Sequence, residues 1–158
     1  MKHTPRPREQ VPRIERSVTI ARPVPDVFSY MDDVDREHEW QPNLRAASQE
    51  PRGPVGVGTV KRYTSVFLKQ ERHNVYRVTD YEMYVRVVYE SMPESATQAR
   101  AEVRWEQVPE GTRVTMSIDA EPGRALKLVS GKALERATIK ELERMLQLLK
   151  EVLEAGRR

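Results

Sequence analysis

The chain has 158 residues, 38% of them hydrophobic, no cysteine and a formal net charge of +3, a composition that fits one domain with a single core. The lack of cysteine excludes disulfides, thiolate nucleophiles and cysteine-containing zinc sites. Lys2, Arg6, Arg8 and Arg13 against Glu9 account for the whole excess charge, so no nucleic-acid partner is expected, because phosphate binding needs basic residues clustered on a folded face.

Residues 1–12 place Pro5, Pro7 and Pro12 among charged side chains, which reads as a flexible basic arm ahead of a single domain over 13–156. The N-terminus has no apolar signal-like run, and nowhere does the chain approach the ~20 apolar residues that span a bilayer. No transmembrane segment and a cytoplasmic location are therefore expected.

Ile14–Ala21 reads as the first strand. Pro23 and Pro25 then preset helical φ, Asp26 puts negative charge in the first turn, and Val24, Val27, Phe28 and Met31 recur at i, i+3, i+4, i+7. Asp32-Asp33 ends that helix, and a short second one covers Asp35–Trp40 before Pro42. Further strands are expected at Leu44–Glu50, Val57–Phe67, Glu71–Tyr81 and Tyr84–Met92, separated by Gly53-Pro54, Gly56, Gly58 and Pro93. In the fourth of these, Val85, Val87 and Tyr89 look inward. In Glu71–Tyr81 the inward set is taken as Asn74, Tyr76 and Val78; the opposite parity places His73 and Val75 inside.

Ala99–Val108 alternates cleanly, with Ala99, Ala101, Val103 and Trp105 on one face and Arg100, Glu102, Arg104 and Glu106 on the other. Thr112–Ala120 does the same with Thr112, Val114, Met116 and Ile118, and Pro109-Glu110-Gly111 joins the two as a hairpin. Ala125–Ala155 closes the chain as a long amphipathic helix striped by Leu142, Met145, Leu146, Leu149, Val152 and Leu153, with Ser130-Gly131 as a kink or its true start. Ile139 and Leu148 sit at the stripe's margins, as core, rim or homodimer contact. Gly131, Ala133, Ala137 and Thr138 either leave room for a guest or let helix and sheet pack closely. Seven strands, two short helices and one long helix make an α+β protein in which a curved antiparallel sheet wraps a terminal helix.

Ser17-Val18-Thr19-Ile20-Ala21-Arg22-Pro23-Val24-Pro25-Asp26-Val27-Phe28, Trp40-Gln41-Pro42, Gly56-Val57-Gly58-Thr59, Val78-Thr79-Asp80-Tyr81, Gly111-Thr112-Arg113-Val114 and the leucine-rich terminal helix come in an order that resembles the polyketide cyclase/dehydrase branch of the START/Bet v 1-like (SRPBCC) superfamily. The resemblance spans about residues 14–154 and implies a helix-grip fold with a cavity between sheet and helix. It carries no catalytic set that transfers onto this chain residue by residue, and superfamily members serve as cyclases, carriers and chaperone activators.

The cavity lining is expected to include Tyr76, Tyr89, Trp105, Met116, Leu134 and Ala137. Tyr63, Tyr76, Tyr89 and Trp105 can stack on a flat guest, and Trp40 closes one end. For acid–base chemistry the candidates are His73 or a tyrosine as the acid–base group and Arg16 or Arg62 as an oxyanion donor, since both arginines share parity with apolar neighbours. A strand end or bulge that lets either arginine reach water is the alternative. His38, between Glu37 and Glu39, belongs on a polar helix face. No histidine has a metal partner at ligand spacing, so no metal or cofactor is expected. The first functional reading is a carrier or sensor of a small hydrophobic molecule. A cyclase/dehydrase-type enzyme and a protein-interaction module with a collapsed cavity stand as alternatives.

Overall fold

A computed structural model of the chain describes residues 11–121 and 128–156. Seven strands form one antiparallel sheet: β1 Val11–Ile20, β2 Leu44–Glu50, β3 Val60–Phe67, β4 Gln70–Glu82, β5 Arg86–Ser91, β6 Gln98–Val108 and β7 Gly111–Glu121. Their order is β1-β7-β6-β5-β4-β3-β2. After β1 the chain crosses to the far edge through α1, Val24–Asp32, and a 3₁₀ helix, Val34–Glu39. It then meanders back until β7 lies beside β1. The β1–β7, β2–β3 and β4–β5 ladders each carry a register shift, and such irregularities bend a sheet and raise its twist. The curved sheet embraces α2, Gly131–Ala155.

The two ends of α2 are held differently. Leu142, Leu146, Leu149 and Leu153 bury its apolar stripe in the core with Ile14, Ile20, Val27 and Val114. Lys150 Nζ donates to Thr19 O at 2.7 Å, Arg22 Nη1 to Leu153 O at 3.0 Å, and the Ala21 amide to Glu154 Oε2 at 2.9 Å. These bonds lock the C-terminal half of the helix to the β1–α1 junction. Ile139 and Leu148 pack against the core, partly buried.

Several expected boundaries shift. β1 starts at Val11, paired with Ala120, inside the arm expected over 1–12, whose residues 1–10 lie outside the described residues. α2 begins at Gly131, because Ser130 caps it by accepting a bond from the Ala133 amide at 3.1 Å; residues 125–127 of the longer helix expected from 125 lie outside the described residues. β3 starts at Val60 rather than Val57. β5 starts at Arg86, since Tyr84 takes φ +67° in the turn, and Val85, expected inside, is 44% exposed.

The β6–β7 hairpin closes tightly against the β1–α1 junction. Gly111 has φ +139°, and a Cβ there would lie 2.2 Å from Ile20 O and 2.9 Å from Arg22 N. Only glycine fits both the dihedral and the space. Gly111→Ala is expected to cost about 2 kcal/mol or more, read as a lower urea midpoint at unchanged m-value.

Candidate functional site

The N-terminal half of α2 stands away from the middle of the sheet and leaves a cavity of about 270 Å³. Leu134, Thr138, Glu141, Leu142 and Met145 of α2 form its roof. Its floor is the inward row of the central strands: Tyr63, Ser65 and Phe67 of β3, Arg72, Asn74 and Tyr76 of β4, Tyr89 of β5, Ala101, Val103 and Trp105 of β6, and Met116 and Ile118 of β7. Alternation brings these side chains to one face, as expected for β6 and β7. The 3₁₀ helix closes one end with Glu37 and Trp40, next to Met31 and Asp32 of α1.

That closed end is built on a buried ion pair. Lys61 is 0% exposed, and its Nζ lies 3.6 Å from Glu37 Oε1 and 5.7 Å from the centre of the Tyr89 ring. The Tyr63 hydroxyl donates to the same Glu37 oxygen at 3.0 Å. Glu37 Oε2, Trp40 Nε1 and Lys61 Nζ are buried without a hydrogen-bond partner among the described residues. Burial pushes the Glu37 carboxyl above the ordinary glutamate value, opposed by the charge of Lys61 and the Tyr63 hydrogen bond. Asp32 is raised in the same way, mainly by burial, and accepts a bond from the Tyr81 hydroxyl at 3.4 Å. Burial likewise raises the Tyr76 phenol to about 12 and lifts Tyr63 and Tyr89 well above their ordinary value, so all three stay protonated.

A second polar group lies further along β3 and β4. Arg72 is buried, its Nη2 donates to Thr97 Oγ1 at 2.6 Å, and burial lowers its pKa. Asn43 Nδ2 donates to Glu141 Oε1 at 3.2 Å, tying the loop after the 3₁₀ helix to α2. Trp105 packs edge-on against Phe28 with centroids 4.6 Å apart, and its indole N–H points at Met31 Sδ at 3.3 Å. Trp105 is therefore braced by α1.

The sequence-derived residues divide sharply. Tyr76, Tyr89, Trp105, Met116, Leu134 and Trp40 come together on the cavity wall. Ala137 does not, because the cavity-facing side of α2 carries Leu134, Thr138 and Glu141; Gly131 and Ala133 are exposed, so Thr138 is the one small residue of that group on the wall. The catalytic candidates lie elsewhere. His73 is on the outer face, 69% exposed, with Nδ1 3.1 Å from Thr64 Oγ1 and Nε2 3.3 Å from Glu71. Arg62 also faces out, half-exposed and 4.0 Å from Glu50. Arg16 is spent at the edge of α2, with Nε 3.3 Å from Glu143 and Nη1 donating to Glu15 O.

The inward parity of β3 is thus the reverse of the one that favoured Arg62, and it puts Lys61 inside. A lysine is buried only with a counter-charge, and here a buried carboxylate from a distant segment supplies it. Arg72 was within reach of pattern reasoning, since it extends the Asn74, Tyr76, Val78 row by one step. Glu37 was also within reach: in a 3₁₀ helix residues three apart eclipse, so Glu37 shares the face of Trp40. Among the described residues, no group of three or more histidines and carboxylates is arranged to hold a metal ion, and no helix is long and apolar enough to cross a membrane.

A seven-stranded antiparallel sheet gripping a long C-terminal helix over an internal cavity defines a START-like, helix-grip protein. The chain belongs to the family described as polyketide cyclase/dehydrase and lipid transport, which it matches over residues 11–154. Solved structures share the fold at low identity. TTHA0849 from Thermus thermophilus superposes with a TM-score of 0.78 at 18% identity, covering 93% of this chain and 100% of that one. A START superfamily protein from Mycobacterium smegmatis gives 0.75 at 15%, covering 90% and 97%. The ZhuI aromatase/cyclase from Streptomyces sp. R1128 gives 0.74 at 17%, covering 92% and 95%. No curated protein matches the chain in sequence.

Two predictions follow from the electrostatics. Lys61→Met strands the Glu37 carboxylate and is expected to cost about 3–5 kcal/mol, most of it recovered in Lys61→Met/Glu37→Leu, measured by a double-mutant cycle in urea. Burial also raises Glu141, with the Asn43 bond opposing. A carboxyl whose folded pKa lies above its unfolded value stabilises most below the unfolded pKa and loses that contribution as pH rises through the folded one. Glu141→Gln, which still accepts from Asn43, is therefore expected to raise Tm above the parent at about pH 7. The gain should vanish below pH 4.5, the ordinary glutamate value.

Proposed function

We propose that this protein binds a small, largely apolar molecule in the cavity between the sheet and α2, as a carrier or sensor. The observation that carries this reading is the wall itself: Tyr76, Tyr89, Trp105, Met116 and Leu134 enclose about 270 Å³, close to the lower end of the ~300–1,000 Å³ typical of ligand pockets. A void of that size between well-braced walls forfeits packing that a guest would restore. Membership of a family whose description joins cyclase/dehydrase activity with lipid transport supports the same reading. The open cavity gives the collapsed-cavity interaction module no support.

A cyclase/dehydrase-type enzyme is the second reading. One observation favours it: Arg72 and Tyr63 put a guanidinium and a phenol on the same cavity wall. The candidates taken from sequence, Arg16, Arg62 and His73, lend it nothing from where they lie.

The test is titration with the neutral fluorophore N-phenyl-1-naphthylamine, alongside native mass spectrometry of the purified protein and extraction of any retained passenger. Saturable enhancement at one site per chain is expected. Ala101→Phe, which fills the cavity from β6, should weaken probe binding about tenfold or more while the far-ultraviolet circular dichroism stays that of the parent. A parent protein that neither retains a passenger nor brightens the probe would refute the reading.

A further inference from the structure

Two polar atoms of residues at the closed end of the cavity are left without hydrogen bonds among the described residues, and together they describe a ligand group. Glu37 and Trp40 line the cavity and are only 4% and 3% exposed. Glu37 Oε1 is engaged by Tyr63 and faced by Lys61, but Oε2 is buried with no donor, and Trp40 Nε1 is buried with no acceptor. Each such atom costs free energy until something pairs with it. The two residues are three apart across the end of the 3₁₀ helix, where the Trp40 amide bonds back to Glu37 O at 3.2 Å. That spacing puts their side chains on one face.

From this geometry we infer that the closed end recognises a neutral hydroxyl, so that the ligand is an apolar alcohol or phenol that enters hydroxyl first. A hydroxyl is both donor and acceptor. It donates to Glu37 Oε2 and accepts from Trp40 Nε1 once these two side chains turn toward the cavity, since both atoms are sealed from solvent as they stand, and a single ligand oxygen then pairs with both. A carboxylate does not suit this end. Asp32 and Glu37 already line it, and Lys61 is the one cation recorded within ion-pair distance of Glu37 among the described residues. A third carboxylate would face two others across a single buried ammonium. An ether or ketone accepts from Trp40 but leaves Glu37 Oε2 unpaired. Lys61 opposes the upward push of burial on the Glu37 carboxyl and holds that side chain in place.

This inference rests on the cavity-binding reading, and the experiment separates the two. Binding of naphthalene, 2-methoxynaphthalene and 2-naphthol is measured by calorimetry on the parent chain, on Trp40→Phe and on Lys61→Met/Glu37→Leu, which removes the buried charges as a pair. On the parent, 2-naphthol is expected to bind about tenfold or more tighter than 2-methoxynaphthalene, the size of one hydrogen bond to a charged acceptor. Trp40→Phe should weaken both oxygenated ligands several-fold and leave naphthalene unchanged. The double variant should abolish the preference for 2-naphthol over its methyl ether. If the three ligands bind the parent equally, or if the hydroxyl preference survives in the double variant, hydroxyl recognition is wrong while the cavity reading stands. If none of the three binds, the cavity reading fails and the inference fails with it.

Discussion

A lysine ammonium removed completely from water, with one carboxylate 3.6 Å away, organises the closed end of this molecule. Burying either charge alone is prohibitive, and even the pair is no better for stability than a well-packed apolar substitute of the same volume. Glu37 reaches Lys61 from the 3₁₀ helix at one end of the sheet crossing, while Lys61 sits on β3. The pair therefore clamps the α1–3₁₀ segment onto the sheet floor. Tyr63 adds a hydrogen bond from the same strand, and Tyr89 offers its ring face to the ammonium. Any sequence that kept the fold and lost this pair would need to refill the space it occupies.

The cavity exists because α2 is anchored unevenly. Its C-terminal half is locked to the β1–α1 junction by leucines and by three hydrogen bonds, donated by Lys150 to Thr19 O, by Arg22 to Leu153 O and by the Ala21 amide to Glu154. Its N-terminal half carries Thr138 and Glu141 toward the sheet, side chains too short or too polar to fill the gap above a curved floor. The register shifts in the β1–β7, β2–β3 and β4–β5 ladders supply that curvature. Space for a guest is thus a consequence of where the core stops, and Trp105 on its floor is held by α1 through Phe28 and Met31.

Family membership and fold neighbours set the frame for function without choosing the ligand. Helix-grip proteins share a cavity and differ in what lines it. Here the lining is aromatic and aliphatic through the middle, with two separate polar groups: Glu37, Trp40 and Asp32 at the closed end, and Arg72, Thr97 and Glu141 further along. The hydrogen-bonding capacity left open at the first of these is what distinguishes this cavity from a purely hydrophobic one.

Much of the architecture was legible in the residues. The hairpin of β6 and β7 follows from strict alternation about Pro109-Glu110-Gly111, α1 from its prolines and apolar spacing, and the floor residues Trp105 and Met116 from parity. Local periodicity determines these, because each strand or helix must bury one face whatever its neighbours are. Parity is ambiguous wherever apolar residues are scattered on both faces, and there β3 was read with Arg62 inside. Lys61, Glu37 and Arg72 show the limit. Whether a charged side chain can be buried depends on a partner that another segment brings within reach, and no window of sequence contains both. The sequence by itself determined the fold class, the strand and helix inventory and most of the apolar wall; only the tertiary structure decided which charged groups lie under that wall, because the free energy of a buried charge is set by its counter-charge across the fold.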